Sequence, residues 1–326
     1  MKMPVRKTYS MRCQDAMMDA LSPIRSLLDD VTINEIMING PNDVFVRQRG
    51  PDRRVDVELS SRSIATAITL LASFVEKEVN ADQLVLSARL PGFRIECALP
   101  PVSVKGPSMT IRRHASRILT LEEYVETGTI DPQQAIAIQD LMHSRKNLLI
   151  AGGTYSGKTT LMNCILALID PNQRLFVIEQ VSELKISAPN CVLMECDPDF
   201  GVTPTMAVKT AMRYSPDRII LGELRGPEAN DWLEASNTGH PGSAATIHAN
   251  NASDALKRLG SLVLMASTGM PHEVIQDRIA STVDAVLFIE QRYGVRQLSE
   301  ICLVEDYDRA RGKFVTKVIN HLERKK

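Results

Sequence analysis

The chain has 326 residues, of which 44 % are hydrophobic and 24 % charged, and its 38 Lys plus Arg against 39 Asp plus Glu leave a formal net charge of −1 at pH 7. That length suits about two domains of about 150 residues, each able to bury its own core, and the composition excludes a wholly disordered, collagen-like or coiled-coil chain. The balanced charge and the 4 % of aromatic residues argue against a surface built to grip nucleic acid or an anionic membrane, so no direct nucleic-acid binding is expected.

Apolar residues at helical spacing over 16–28 (Met17, Met18, Leu21, Ile24, Leu27, Leu28) predict a first amphipathic helix running through Pro23. Short apolar runs at 35–39, 44–47 and 55–59, the first two separated by Gly40-Pro41-Asn42-Asp43, predict a small antiparallel meander. A helical period over 63–77 follows, and the runs 84–90 and 93–99 flank Pro91-Gly92 as a hairpin. This predicts a compact α+β unit over 1–104 without a chemical motif of its own. Pro100-Pro101 and Lys105-Gly106-Pro107 break the pattern, so 105–120 is read as a linker and 121–326 as a second domain.

Two helix starts open that domain. Thr120 with Glu123 and Asp131 with Gln134 each have capping-box spacing, and Pro132 stands at the first helical position of the second. From Asn147 onward β-rich runs alternate with helical ones (148–151, 161–169, 175–178, 205–214, 219–221), which predicts an α/β domain around a mainly parallel sheet covered on both faces. The six cysteines are scattered, with no C-x-x-C spacing and no His at zinc-like spacing, and read as small buried hydrophobes in a reducing compartment. The basic start is followed by no apolar segment, and no run approaches the roughly 18 apolar residues that would span a bilayer, so a cytoplasmic location is expected.

Between the strand at 148–151 and the helical run at 160–169 stands Gly152-Gly153-Thr154-Tyr155-Ser156-Gly157-Lys158-Thr159, followed by Thr160. This is G-x-x-x-x-G-K-[ST] in the strand-to-helix context that it requires. Its glycines let the backbone fold back so that N–H groups point at phosphate oxygens, aided by the positive end of the following helix. Lys158 is expected on the β/γ-phosphates and the Thr159 hydroxyl on Mg²⁺. The hydrophobic strand 218–221 leads to Glu223, a candidate to organise Mg²⁺ and the attacking water. A second strand, 175–178, ends in Glu179, with Glu183 in the loop beyond, and either could polarise the water. His240 and His248 bracket a Gly/Pro turn and a short strand. Without a third ligand they suit hydrogen bonding to phosphate or to the catalytic acid better than zinc. His114, His143, His272 and His321 have no such context and read as surface or linker residues. No Asn-Lys dipeptide occurs to read guanine, so ATP is the expected nucleotide.

The segments GGTYSGKT, FVIEQVSEL, RIILGELRGPEA and TGHPGSAATIHANN stand in this order and resemble the Walker A, Asp, Walker B and His boxes of the type II/type IV secretion traffic ATPases, the conjugal-transfer members above all. EIMING, GFR with the following PP, and MTIRR resemble that family's N-terminal domain and linker. The resemblance implies a RecA-like P-loop ATPase domain preceded by a smaller α+β N-terminal domain. It implies ATP and Mg²⁺ as ligands, a homohexameric ring, and work on secretion or conjugation machinery at the cytoplasmic face of the inner membrane. Pilus and type II secretion motors share these boxes, and DNA translocases share the core. Carried over by position, Lys158 and Thr159 are the phosphate and Mg²⁺ groups, Glu183 the Asp-box acid, Glu223 the Walker B acid, and His248 with His240 the His box. Arg94 and Arg113 become N-domain arginines facing phosphate, with Arg213 and Arg225 as weaker candidates. The chain departs from the family at Gln180, where the Asp box usually carries a carboxylate, and at Tyr155, where Walker A usually carries a small residue.

Overall fold

A computed structural model describes residues 15–48, 50–80, 82–113, 117–197, 200–266, 269–292 and 295–320. Cys13, His114 and His321, read above as buried or surface residues, lie outside them. The chain divides into two compact units, Met1–Ser116 and Arg117–Lys326.

The first unit is one antiparallel sheet with helices packed on it. Its strands are β1 (Glu35–Gly40), β2 (Asp43–Arg47), β3 (Arg53–Val55), β4 (Val85–Leu90), β5 (Phe93–Ala98) and β6 (Ser108–Arg113), in the spatial order β3-β2-β1-β6-β5-β4. The helix expected over 16–28 is interrupted. Residues 15–20 are helical, Ser22–Ile24 form a 3₁₀ turn, and α1 (Arg25–Asp29) resumes, because Pro23 has no N–H to continue the ladder and its ring crowds the preceding turn. The next helix, α2 (Ser61–Phe74), begins where the Ser60 hydroxyl accepts from Ser63 N at 3.0 Å. It buries Ile64, Ala67, Ile68 and Leu71 against Ile36, Ile38, Leu86 and Ile95 of the sheet. In the β4–β5 hairpin Gly92 has φ +83°, the left-handed backbone that the residue after Pro91 must adopt in a type II turn.

The expected linker over 105–120 requires correction. Ser108–Arg113 within it is β6, which pairs with both β1 and β5 in the middle of the first sheet. Met109 and Ile111 alternate inward, each 2 % exposed, and without this strand β1 and β5 would each present an open edge. Pro100-Pro101 and Lys105-Gly106-Pro107 therefore belong to a loop between neighbouring strands of one sheet, and the division between units falls later, at Ser116.

The second unit holds an eight-stranded sheet in the order β14-β13-β12-β7-β11-β10-β8-β9. Its strands are β7 (Leu148–Gly152), β8 (Leu175–Glu179), β9 (Cys191–Glu195), β10 (Arg218–Leu221), β11 (Ala244–His248), β12 (Ala285–Arg292), β13 (Val295–Asp308) and β14 (Lys313–Asn320). Strands β12, β7, β11, β10, β8 and β9 run parallel, and β13 and β14 add an antiparallel hairpin at one edge. Both capping boxes are formed. Thr120 opens α3 (Leu121–Glu126) and Asp131 opens α4 (Pro132–His143), each with reciprocal bonds to the third helical residue. Successive residues of β7 enter opposite cores: Leu149 and Ala151 join one, Leu148 and Ile150 the other. This is the signature of a parallel strand covered on both faces. From β7 the chain crosses to β8, then returns on the far side of β7 as β12, so the carboxyl end of β7 lies at a topological switch point, where α/β sheets bind ligands.

Among the described residues no helix is long and apolar enough to cross a membrane. Cys97, Cys164, Cys196 and Cys302 are buried and free, and Cys191 is half-buried and free. Burial pushes the thiols of Cys97 and Cys164 up to about 12.

Candidate nucleotide-binding and hydrolysis site

The loop between β7 and α5 (Lys158–Leu166) is built from residues that only this path accommodates. A β-carbon on Gly152 would lie 2.2 Å from Ile289 O and 2.5 Å from Ser156 Oγ, so the loop's first position must be glycine. Gly157, the N-cap of α5, has φ +103°. Tyr155, half-buried, is held at φ +61°, a left-handed conformation that costs a non-glycine residue energy and tends to persist where function demands it. The first-turn N–H groups of α5 have no acceptors within the helix and add their positive field at the loop. Gly153 and Thr154 are exposed, and Thr159 and Thr160 are half-buried on the first turn of α5. Lys158, 8 % exposed, donates from Nζ to Gly152 O at 3.0 Å and Gly153 O at 2.8 Å.

Parallel register brings the acid and the imidazole to this loop. His248, the last residue of β11, pairs with Gly152, and Leu221 of β10 pairs with both Ala245 and Ile178. The residues just beyond these strands, Glu223 and Gln180, therefore emerge at the same end as His248. A continuous chain of polar contacts results. Lys158 Nζ lies 3.4 Å from His248 Nδ1, His248 Nε2 3.0 Å from Glu223 Oε1, Arg225 Nη2 2.6 Å from Glu223 Oε2, and Arg225 Nη1 3.0 Å from Gln180 Oε1. Because lysine only donates, Nδ1 is the accepting nitrogen, and Nε2 carries the proton that it donates to Glu223. Burial first, then the Lys158 charge, hold the imidazole below its ordinary range; Glu223 opposes this and Arg225 and Arg258 add to it. His248 is thus neutral at pH 7, as that tautomer requires.

The acid loop divides its labour. Glu179 is buried, and its Oε1 accepts from Glu183 N at 2.9 Å and Leu184 N at 3.0 Å, so this carboxylate shapes the loop from within. Glu183 is half-buried and its charge reaches Arg225, whose guanidinium is held charged chiefly by its hydrogen bond to Glu223. Gln180 meets Arg225 through its amide oxygen.

Other expected members have partners of their own. His240 precedes β11, and its Nδ1 donates to Pro216 O at 2.8 Å, beyond the amino ends of the strands. Five residues of strand, on the order of 13 Å, separate that end from His248. The reading of His240 as a partner of His248 is therefore corrected: the two histidines stand at opposite ends of one strand. Arg94 donates from Nε and Nη2 to Glu96 Oε1 at 3.0 and 2.9 Å. Arg113 donates to the carbonyls of Ile33 (3.1 Å), Asp30 (3.2 Å) and Leu28, and lies 4.8 Å over the ring of Phe93. Both guanidiniums thus have partners inside the first unit. Arg213 is exposed just past α6 (Pro204–Ala211), which α7 (Glu228–Asn237) follows along the chain. Two further arginines escaped the sequence reading. Arg258, in α8 (Ala252–Leu264), lines a cleft of about 520 Å³ with Gly153, Thr154 and His248. Arg296 of β13 covers the start of α5, its Cδ 3.2 Å from where a β-carbon on Gly157 would stand. Only the helical spacing after His248 could have signalled the first, and no local pattern signals the second.

These residues fit a nucleotide phosphate with a divalent cation. A glycine cradle that a β-carbon would fill, a buried Ser156 Oγ with no hydrogen-bond partner among the described residues and a lysine resting on loop carbonyls suit a polyanion. Thr159 and Glu223 supply oxygen donors of the kind magnesium takes.

The type II/IV secretion system protein family matches residues 17–322. Over 292 residues the chain is 39 % identical to the probable conjugal transfer protein TrbB of Sinorhizobium fredii, covering 88 % of this chain and 87 % of that one. It is 37 % identical over 301 residues to the conjugal transfer protein TrbB of Rhizobium radiobacter, covering 91 % and 90 %. Its fold is similar to that of the Legionella pneumophila ATPase DotB, with a TM-score of 0.61 at 18 % identity over 94 % of this chain and 81 % of that one. The resemblance carried by the four boxes is met, and the chain belongs to the type II/IV secretion system protein family.

Proposed function

We propose that this protein is an ATP hydrolase that drives a type IV secretion or conjugal-transfer apparatus, acting as a homohexamer docked at the cytoplasmic face of the inner membrane. The observation that carries the hydrolytic reading is the unbroken contact chain from Lys158 through His248 to Glu223 and Arg225 at the carboxyl ends of β7, β11 and β10. The relatives' names favour conjugal transfer over a pilus motor, a type II secretion motor or a DNA translocase.

Phosphoryl transfer asks a protein mainly for positioning and charge. The loop amides and Lys158 bind and orient the β/γ-phosphates of ATP. Thr159 and Glu223 would hold Mg²⁺, which when bound neutralises charge on those phosphates. Glu223 orients the attacking water and accepts its proton. Neutral His248 fixes one Glu223 oxygen by donating from Nε2, and Arg225, steadied by Gln180, fixes the other. Arg94 and Arg113 have partners within their own unit. The decisive experiment measures phosphate release from Mg-ATP by the purified chain, with native mass determined alongside. A protein that releases no phosphate in any assembly state overturns the hydrolytic reading, and a turnover that appears only with DNA would make it a translocase.

A further inference from the structure

The cleft beside the loop is bordered by Gly153 and Thr154, by His248 and Ala249 at the end of β11, and by Asp254 and Arg258 of α8. Gly153 is also the residue whose carbonyl accepts from Lys158, so the cleft opens at the end of the loop where the lysine charge is presented. Its one acid is already engaged. Asp254 accepts from Asn251 Nδ2 at 2.9 Å and from Lys257 Nζ at 3.5 Å, and its N–H is capped by Asn251 Oδ1 at 2.7 Å. Arg258 is exposed and, among the described residues, has neither a hydrogen bond nor an ion pair. An arginine without an acid partner, facing a cleft shared with a phosphate-binding loop, is placed to receive an anion in its planar fork.

We infer that Arg258 binds the terminal phosphate of a nucleoside triphosphate seated on the loop, making it the residue that separates triphosphate from diphosphate. The inference rests on the nucleotide reading above and adds a specificity-determining group to it. Lys158 reaches the β-phosphate, which both nucleotides share, as well as the γ-phosphate, whereas Arg258, which lines the same cleft as Gly153 and Thr154 from α8, meets only the phosphate that the triphosphate adds.

The test is calorimetric binding of a non-hydrolysed ATP analogue and of ADP, each with Mg²⁺, to the full chain and to Arg258→Gln, Arg258→Lys and Lys317→Gln. The expected result is a loss of about tenfold or more in analogue affinity for Arg258→Gln, the loss of one charge-assisted contact, with ADP affinity within about twofold. Arg258→Lys should recover part of the loss. Lys317→Gln, an equal change of charge at an exposed position of the edge strand β14, should leave both affinities unchanged. Equal losses for both nucleotides, no loss for either, or the same loss in Lys317→Gln would overturn the inference while leaving the nucleotide site standing. A parent protein that binds neither nucleotide would overturn the site itself.

Discussion

His248 Nε2 lies 3.0 Å from Glu223 Oε1, although the two residues leave different strands, β11 and β10. Because the imidazole is the donor in this contact, it orients the carboxylate that must take a proton from water. Replacing Glu223 by Gln keeps the volume and removes that basic oxygen. Nucleotide binding should stay within a few-fold of the parent while turnover falls by about two orders of magnitude or more. Binding is read by fluorescent-nucleotide titration and turnover by phosphate release; normal hydrolysis would transfer the role to Glu183, since Glu179 is committed to the loop backbone.

Lys158→Ala should abolish turnover and nucleotide binding together, because the ammonium is the loop's only side-chain cation on the phosphates. The amine also closes the loop through Gly152 O and Gly153 O. A loss of roughly 1 kcal/mol of stability is therefore expected, read as a small fall in the denaturation midpoint with a native circular dichroism spectrum. Turnover within a few-fold of the parent would sink the assignment.

The two histidines at either end of β11 should separate cleanly. His248→Ala should lower turnover by about tenfold or more with little change in melting temperature, since it removes the contact that fixes Glu223. His240→Ala should do the opposite. Its lost bond to Pro216 O costs about 1 kcal/mol of stability, with turnover of the folded protein unchanged. A large turnover defect in His240→Ala would show that this end of the sheet communicates with the site.

Arg113→Ala removes a guanidinium that binds three backbone carbonyls and stacks over Phe93. Lost charge-assisted hydrogen bonds make about 2 kcal/mol of destabilisation the expected result, seen as earlier protease cleavage within residues 1–116. Turnover per folded molecule should stay within a few-fold of the parent, and sedimentation with a slowly hydrolysed ATP analogue should show the same assembly. A folded variant that loses turnover or nucleotide-linked assembly would give Arg113 a part in the site.

What the sequence determined by itself was everything whose cause spans a few residues. The phosphate loop is legible because Gly152, Gly157, Lys158 and Thr159 answer local demands of backbone path and charge. The starts at Thr120 and Asp131 are legible because a capping box closes within one turn, and Pro91-Gly92 because one turn type needs both residues. The interruption at Pro23 was equally local, and its missing N–H outweighed the apolar period around it. Tertiary structure decided what depends on pairing between distant segments. Ser108–Arg113 reads as linker beside Pro107, and only the open edges of β1 and β5 make it a strand. His240 and His248 look like a pair in sequence, yet an extended strand carries its ends apart by about 3.3 Å per residue. Conversely, Gly152, Glu223 and His248 meet because parallel register aligns the ends of β7, β10 and β11. That register is set by which faces of the strands enter the two cores, a choice no window of neighbouring residues contains.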